Sequence, residues 1–286
     1  MKDLSNENVI HIKKNGIEFL QFRKLLEFSD TINHAYSLGI DKDYRIETPH
    51  HTPLENKKFI NSVNNYKKLL NSINSDYTHI VRARQNHTKR IKCVQNKKSL
   101  TEPDICSEEY ENTDGLITNK PNIMLTTTNA DCILCLIFDP VKKVIANVHS
   151  GWRGTLQRIT VDTIEKMNKE YGSNPADIIC CICPRIGKCH FEVSKDVKEM
   201  YEKEFKELSG FIEETIKDKK WHIDTVLINK ELLLQAGLKE ENIIDSGICS
   251  MCNSNQIHSY RVQGKNYGLS TALIEIKGWN FKEILI

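Results

Sequence analysis

The sequence lacks any apolar run approaching the roughly 18 residues that cross a bilayer as a helix, and its first residues, Met1-Lys2-Asp3-Leu4-Ser5-Asn6-Glu7-Asn8, lack the apolar core of a signal peptide. The first absence argues against a helical membrane protein; the second makes the cytoplasm the expected location. Excess charge is also scarce, with 40 basic residues set against 38 acidic ones. The lysines are spread among acids and form no basic face interleaved with aromatics, so neither nucleic acid nor an anionic membrane surface is an expected partner. There is no internal repeat and no low-complexity linker. The 286 residues are therefore read as one domain spanning 1–286, long enough to bury its core without disulfide staples. In a reducing compartment the ten cysteines stand for thiolate chemistry or plain burial.

The densest chemistry lies between Thr126 and Thr155, in TTTNADCILCLIFDPVKKVIANVHSGWRGT. Two apolar strands, Ile133–Phe138 and Val144–Val148, flank an Asp139-Pro140 turn. Cys132 stands where the first begins and His149 where the second ends, so an antiparallel hairpin sets them side by side. Ser150-Gly151-Trp152-Arg153-Gly154 then forms a glycine-bracketed turn into an amphipathic helix capped by Thr155 and ending near Gly172. A thiolate, an imidazole and a helix N-terminus at one point suit a metal or nucleophile site beside an anion pocket.

Around this stretch the spacing predicts strands at Ile17–Phe22, Ile32–Leu38 and His79–Arg84, with Ile91–Gln95 as the hairpin partner of the last. Further strands are expected at Asp114–Thr118, Asn122–Thr128, Ile178–Cys183, Ile243–Ser246, Gln256–Val262 and Leu269–Ile276. Apolar residues at three- and four-residue steps mark a helix over Asn56–Ile73, and Ser194 and Asp224 cap two more. Pro184-Arg185-Ile186-Gly187 offers a second place where backbone N–H groups could face a ligand. The adjacent His50 and His51 point to opposite sides of an extended chain, which favours a solvated loop over a metal site.

His87, Cys132 and His149 are the candidate metal ligands. Two imidazoles and one thiolate suit Zn²⁺ with the fourth position open, the mark of a catalytic ion. Their spacing is looser than any zinc-finger pattern, so two other readings stand beside this one. Cys132 and His149 form a metal-free nucleophile and base of a hydrolase or amidase, or they are a buried thiol and a hydrogen-bonded core histidine. Asp131 is read as an orienter or proton carrier. Arg153, with the helix start, suits phosphate; the plainer reading is a surface arginine paired with a neighbouring helix. The pairs Cys132/Cys135 and Cys180/Cys183 place their thiols on opposite faces of strands. Cys249 and Cys252 lie in a turn that could hold metal or cycle redox state, but no second CxxC or histidine pair follows at a suitable distance.

The order of Gln85-x-His87, Asp114-Gly115-Leu116-Ile117-Thr118, Ala130-Asp131-Cys132, His149-Ser150-Gly151-Trp152-Arg153-Gly154, Pro184-Arg185-Ile186-Gly187-x-Cys189, Cys249-x-x-Cys252-Asn253 and Ser259-Tyr260-Arg261 resembles the laccase-domain family, once labelled multicopper polyphenol oxidoreductases. The chain departs from the family pattern at Asn86, Thr88, Asn129 and Lys188. The resemblance implies an α+β fold, a layered α/β sandwich of mixed sheets flanked by helices. It also implies zinc on His87, Cys132 and His149, and phosphorolysis of adenosine, inosine, guanosine and methylthioadenosine to free base and ribose 1-phosphate, with adenosine deamination as a second activity. Purine nucleosides and phosphate are then the expected partners, Asp131 and Arg153 the catalytic residues, and Gln85 and Arg261 the substrate contacts, in a monomer or homodimer. Copper is an expected substitute for zinc at a His₂Cys site. A copper-dependent phenol oxidase is the further alternative, but ten histidines without one His-x-His pair do not supply its trinuclear cluster.

Overall fold

Successive side chains along each strand point to opposite faces, and the two large sheets that result share a core. The computed structural model describes residues 2–46, 57–95, 108–215 and 220–278; His50 and His51 lie outside them. In the first sheet the spatial order is β1 (Val9–Lys14), β2 (Ile17–Phe22), β3 (Ile32–Leu38), β15 (Ser270–Ile276), β7 (Met124–Asn129) and β4 (Ile80–Arg82). In the second it is β14 (Ile243–Asp245), β10 (Ile179–Ile182), β8 (Ile133–Asp139), β9 (Val144–Ser150), β6 (Gly115–Thr118) and β5 (Ile91–Cys93). A smaller sheet joins β11 (Glu192–Val193), β13 (Lys220–Ile223) and β12 (Ile212–Thr215).

The inner faces of the two large sheets meet through Leu20, Tyr36, Leu125 and Ile274 on one side and Leu134, Leu136, Ile145 and Cys181 on the other. The residues between them in sequence point outward. On the first sheet Phe19, Ala35, Met124 and Leu273 receive Tyr66, Leu69 and Leu70 of helix α2 (Lys57–Ser72), which follows the short α1 (Arg23–Leu26). On the second, Ile133, Cys135, Ala146 and Cys180 receive Ile159, Ile164 and Met167 of α4 (Ile159–Tyr171) and Val226 and Leu233 of α6 (Thr225–Gln235). The expected α+β layered sandwich is thus observed as helix, sheet, sheet, helices. Strands β8 and β9 are buried along their whole length, which is why their sequence is apolar on both faces.

Two expected strands are corrected. Ile91–Gln95 does not fold back on His79–Arg84: β4 pairs in parallel with β7 of the first sheet, whereas β5 pairs in parallel with β6 of the second. The chain between them crosses from one sheet to the other. Gln256–Val262 forms turns and a short helix α7 (Tyr260–Gln263), because Ser259 accepts the Val262 N–H at its N-terminus and Gln256 is tied by its side chain to the Lys2 backbone.

A polar side chain ties the two sheets together inside the sandwich. Asn147 of β9 donates to the Leu125 and Ala272 carbonyls of the opposite sheet at 3.0 and 2.8 Å and accepts from the Thr127 hydroxyl. Replacing it by alanine strands the Thr127 hydroxyl and removes a donor from two buried carbonyls. Asn147→Ala should lower unfolding stability by about 1–3 kcal/mol, read from the denaturant midpoint; an unchanged midpoint would refute this linking role.

Candidate metal centre

At one end of the sandwich two segments run from the first sheet into the second, and both bend through left-handed backbone. The β4-to-β5 crossing carries His87 at φ 56°, and the β7-to-β8 crossing carries Asp131 at φ 86°. Left-handed conformations are uncommon outside glycine, and each here is held by hydrogen bonds. At the first, the N–H groups of Asn86, His87 and Thr88 and the Thr88 hydroxyl all donate to the Asp114 carboxylate, at 3.2, 3.0, 2.8 and 2.7 Å. At the second, the Asn129 amide donates to the Cys132 and Pro184 carbonyls and accepts from the Tyr36 hydroxyl. The same network that delivers His87 explains why the expected hairpin does not form.

His149 arrives from β9, opposite Leu134 of β8 in the antiparallel register, so Cys132 and His149 lie side by side as the hairpin reading required. Its Nδ1 is 2.7 Å from Asp114, which leaves Nε2 for the site. The Cys132 sulfur lies 3.8 Å from His87 Nε2, and the ligand atoms of His87, Cys132 and His149 all fall within 4.8 Å of one another. The two imidazoles meet edge to face with centroids 5.0 Å apart. Gly151 floors this cluster. A Cβ there would stand 2.7 Å from His87, 3.2 Å from His149 and 3.3 Å from the Cys132 sulfur, so only glycine lets the three converge.

Electrostatics favour a thiolate. Burial pushes the Cys132 thiol up, but the hydrogen bond and charge of His149, with His87 behind it, bring it down to about 6. Burial pushes His149 down, yet Asp114 and Cys132 raise it to about 9. Asp114 is fully buried; desolvation alone would raise it, and its bonds to His149 and Thr88 hold it below the usual carboxylate range. These residues fit a Zn²⁺-type ion: one thiolate, two imidazoles, a carboxylate orienting one imidazole, and no fourth protein ligand among the described residues.

The remaining predicted residues fall as follows. Arg153 is exposed, makes no ion pair among the described residues, and lies over the Trp152 ring at 4.2 Å. The expected helix from Thr155 is divided: α3 (Trp152–Leu156) starts at Gly151, Arg158 breaks it at φ 58°, and α4 follows. Thr155 caps nothing; its hydroxyl lies 3.0 Å from the Ser150 hydroxyl and accepts from Asn229. Asp131 accepts from the Ser250 hydroxyl at 2.5 Å and from the Arg261 N–H at 2.7 Å. The Arg261 guanidinium donates to the Glu192 and His190 carbonyls. Gln85 spends its amide on the Thr128 backbone, donating to the carbonyl and accepting the N–H at 2.7 Å each. The N–H groups of Ile186 and Gly187 face the Asp131 carbonyl and the Cys249 sulfur, so that turn is not a ligand cradle.

Sequence reasoning missed Asp114, Gly151 and Asn129. Asp114 entered only as the first residue of a strand and of the Asp114-Gly115-Leu116-Ile117-Thr118 motif, and an aspartate beside a glycine opening an apolar strand was the available signal.

Two results follow. With metal stripped by a chelator, the alkylation rate of Cys132, read by peptide mass spectrometry, should fall as pH drops through about 6, where the thiolate takes up its proton. His149→Ala should move that fall to higher pH, and an unmoved profile would remove His149 as the cause. Gly151→Ala should abolish metal retention while leaving the far-ultraviolet spectrum intact.

Residues 58–277 match the family described as multi-copper polyphenol oxidoreductase laccase. The chain is 32% identical over 161 residues to a purine nucleoside phosphorylase of Bacteroides thetaiotaomicron, a match covering 56% of this chain and 60%, less than two thirds, of that protein. It is 30% identical over 193 residues to adenosine deaminase RL5 of an unknown prokaryotic organism, covering 68% and 73%. The crystal structure of hypothetical protein YfiH of Bacillus licheniformis superposes with a TM-score of 0.73 at 26% identity, over 91% of this chain and 96% of that one. With its match spanning the stretch that carries His87, Cys132 and His149, the chain belongs to the multi-copper polyphenol oxidoreductase laccase family.

Proposed function

We propose that the chain is a zinc enzyme that phosphorolyses purine nucleosides, among them adenosine, inosine, guanosine and methylthioadenosine, and also deaminates adenosine. The observation that carries this reading is the convergence of His87, Cys132 and His149 on a point with no fourth protein ligand among the described residues. Relatives named purine nucleoside phosphorylase and adenosine deaminase supply the substrate class. A Zn²⁺ ion held there would supply Lewis acidity and lower the pKa of a water to about 7.

The chain's own groups do the rest. Asp114 fixes His149 through Nδ1 and the His87 loop through its backbone, so both imidazoles are presented without reorganisation. Arg153, free of any acidic partner among the described residues and steadied on Trp152, positions phosphate for attack on the ribose C1′. Asp131 holds the Arg261 backbone and the Ser250 hydroxyl beside Cys132. Carrying a proton to leaving ammonia would require it to release Ser250, which makes it a positioning group first. Gln85, by its bonds to Thr128, acts the same way.

A second reading rests on one observation. Asp114, His149 and Cys132 form a row in which the thiol is depressed to about 6, the arrangement of a metal-free cysteine nucleophile, base and orienter. The phenol-oxidase reading has less support. The two groups of potential ligands among the described residues contain two imidazoles and one, too few for a copper cluster built mainly on histidine.

Purified, metal-quantified protein incubated with adenosine should release adenine only when phosphate is present, and inosine with or without it. His87→Ala should abolish both products; full activity in that variant would favour the cysteine nucleophile. Arg153→Ala should depress phosphorolysis by about 10²-fold, the scale of one lost positioning group, and deamination far less. Equal losses would remove phosphate from Arg153.

A further inference from the structure

Behind Asp131 a second cluster forms from residues that sequence spacing did not join. Cys189 and His190 follow the turn at Gly187, and Cys249 and Cys252 lie in the turn after β14. Adjacent residues normally point apart, but here the N–H groups of His190 and Phe191 both close on the Gly187 carbonyl at 2.9 Å. That tight turn brings the Cys189 sulfur to 3.2 Å from His190 Nδ1. From the other side the Cys249 and Cys252 sulfurs lie 3.7 and 3.5 Å from the same nitrogen, and the Cys189 and Cys252 sulfurs are 3.8 Å apart.

These distances can be set against a tetrahedron. With Zn–S of about 2.3 Å and Zn–N of about 2.0–2.1 Å, the edges are about 3.8 Å between sulfurs and about 3.6 Å between sulfur and nitrogen. The observed edges lie close to those values, and the sulfur pair is far longer than the roughly 2.05 Å of a disulfide. The Gly187 N–H donates to the Cys249 sulfur at 3.3 Å, which favours its thiolate form. Room for this is also tailored: a Cβ on Gly187 would press to 3.3 Å on the Cys189 sulfur and 3.4 Å on Cys249.

We propose that Cys189, His190, Cys249 and Cys252 form a second, closed Zn²⁺ site that clamps two loops behind the first centre. Four protein donors leave no open position, so the ion is structural. It joins the segment running into β11 to the turn after β14. Ser250, between two of its cysteines, bonds Asp131 beside Cys132, and Arg261 bonds the carbonyls of His190 and Glu192. The clamp therefore fixes one wall of the site next to Asp131.

Zinc counted by mass spectrometry on protein purified under reductant should give about two ions per chain. His87→Ala should keep about one, and Cys252→Ser should keep about one, each losing a different ion. Cobalt loaded into His87→Ala should show the strong thiolate charge-transfer absorption of a three-sulfur site. Cobalt in Cys252→Ser, with the single thiolate of Cys132 in a complete site, should show a weaker band. Zinc-free His87→Ala, or a Cys189–Cys252 disulfide in freshly purified reduced protein, would overturn the proposal. Should Cys252→Ser prove insoluble, the metal content and cobalt spectrum of His87→Ala still decide it. The count is read without substrate, so a failure of nucleoside turnover leaves it untouched.

Discussion

The Asp114 carboxylate is the interaction on which the site depends. It is buried among residues of the second sheet, and it is surrounded by three backbone N–H groups, a hydroxyl and an imidazole. A buried carboxylate with fewer partners would cost several kcal/mol or take up a proton. With five it remains charged and holds two things at once: the left-handed turn that aims His87 and the orientation of His149. Thr88, one of the positions where this chain departs from the family pattern, adds its hydroxyl to the backbone N–H that any residue but proline would offer there. The departure strengthens the carboxylate's setting and leaves the candidate metal ligands in place.

The second constraint is steric. Three bulky side chains reach one point only because Gly151 has nothing to place there. Its φ of −64° is open to any residue, so its requirement comes from close approach and not from backbone freedom. Trp152 beside it is anchored by packing against the apolar cluster that includes Tyr201 and by the Tyr201 hydroxyl bonding its carbonyl, which fixes the ring over which Arg153 lies.

The sequence was a sufficient guide to some local elements. The β8–β9 hairpin follows from two apolar runs around Asp139-Pro140, and helix α6 follows from the Asp224 cap, whose carboxylate accepts the Leu227 N–H. Residue type made His87, Cys132 and His149 candidates, and the fold brings their ligand atoms within 4.8 Å of one another, His87 from a loop five residues past the end of β4. What was not legible depends on partners distant in sequence. Asp114 needs His87's loop and His149 to show its purpose. Asn147 reads as a polar interruption in an apolar strand until the opposite sheet is present to receive it. The β5 strand pairs away from β4 because of hydrogen bonds made by a residue more than twenty positions further on. Cys249 and Cys252 find their companions sixty positions earlier, where a forward search for a second pair could not look.

The two crossings between sheets have a thermodynamic corollary. His87 and Cys132 ride on segments that leave the first sheet and enter the second, so their donors meet only after the sheets have docked. Under the proposed metal binding, ion binding and folding are linked equilibria: an ion at a free concentration 100 times its Kd would deepen the folded state by about 2.7 kcal/mol. A change deep in the sandwich that loosens sheet docking would weaken apparent metal affinity without touching a ligand, and loss of metal would in turn make the sandwich easier to open.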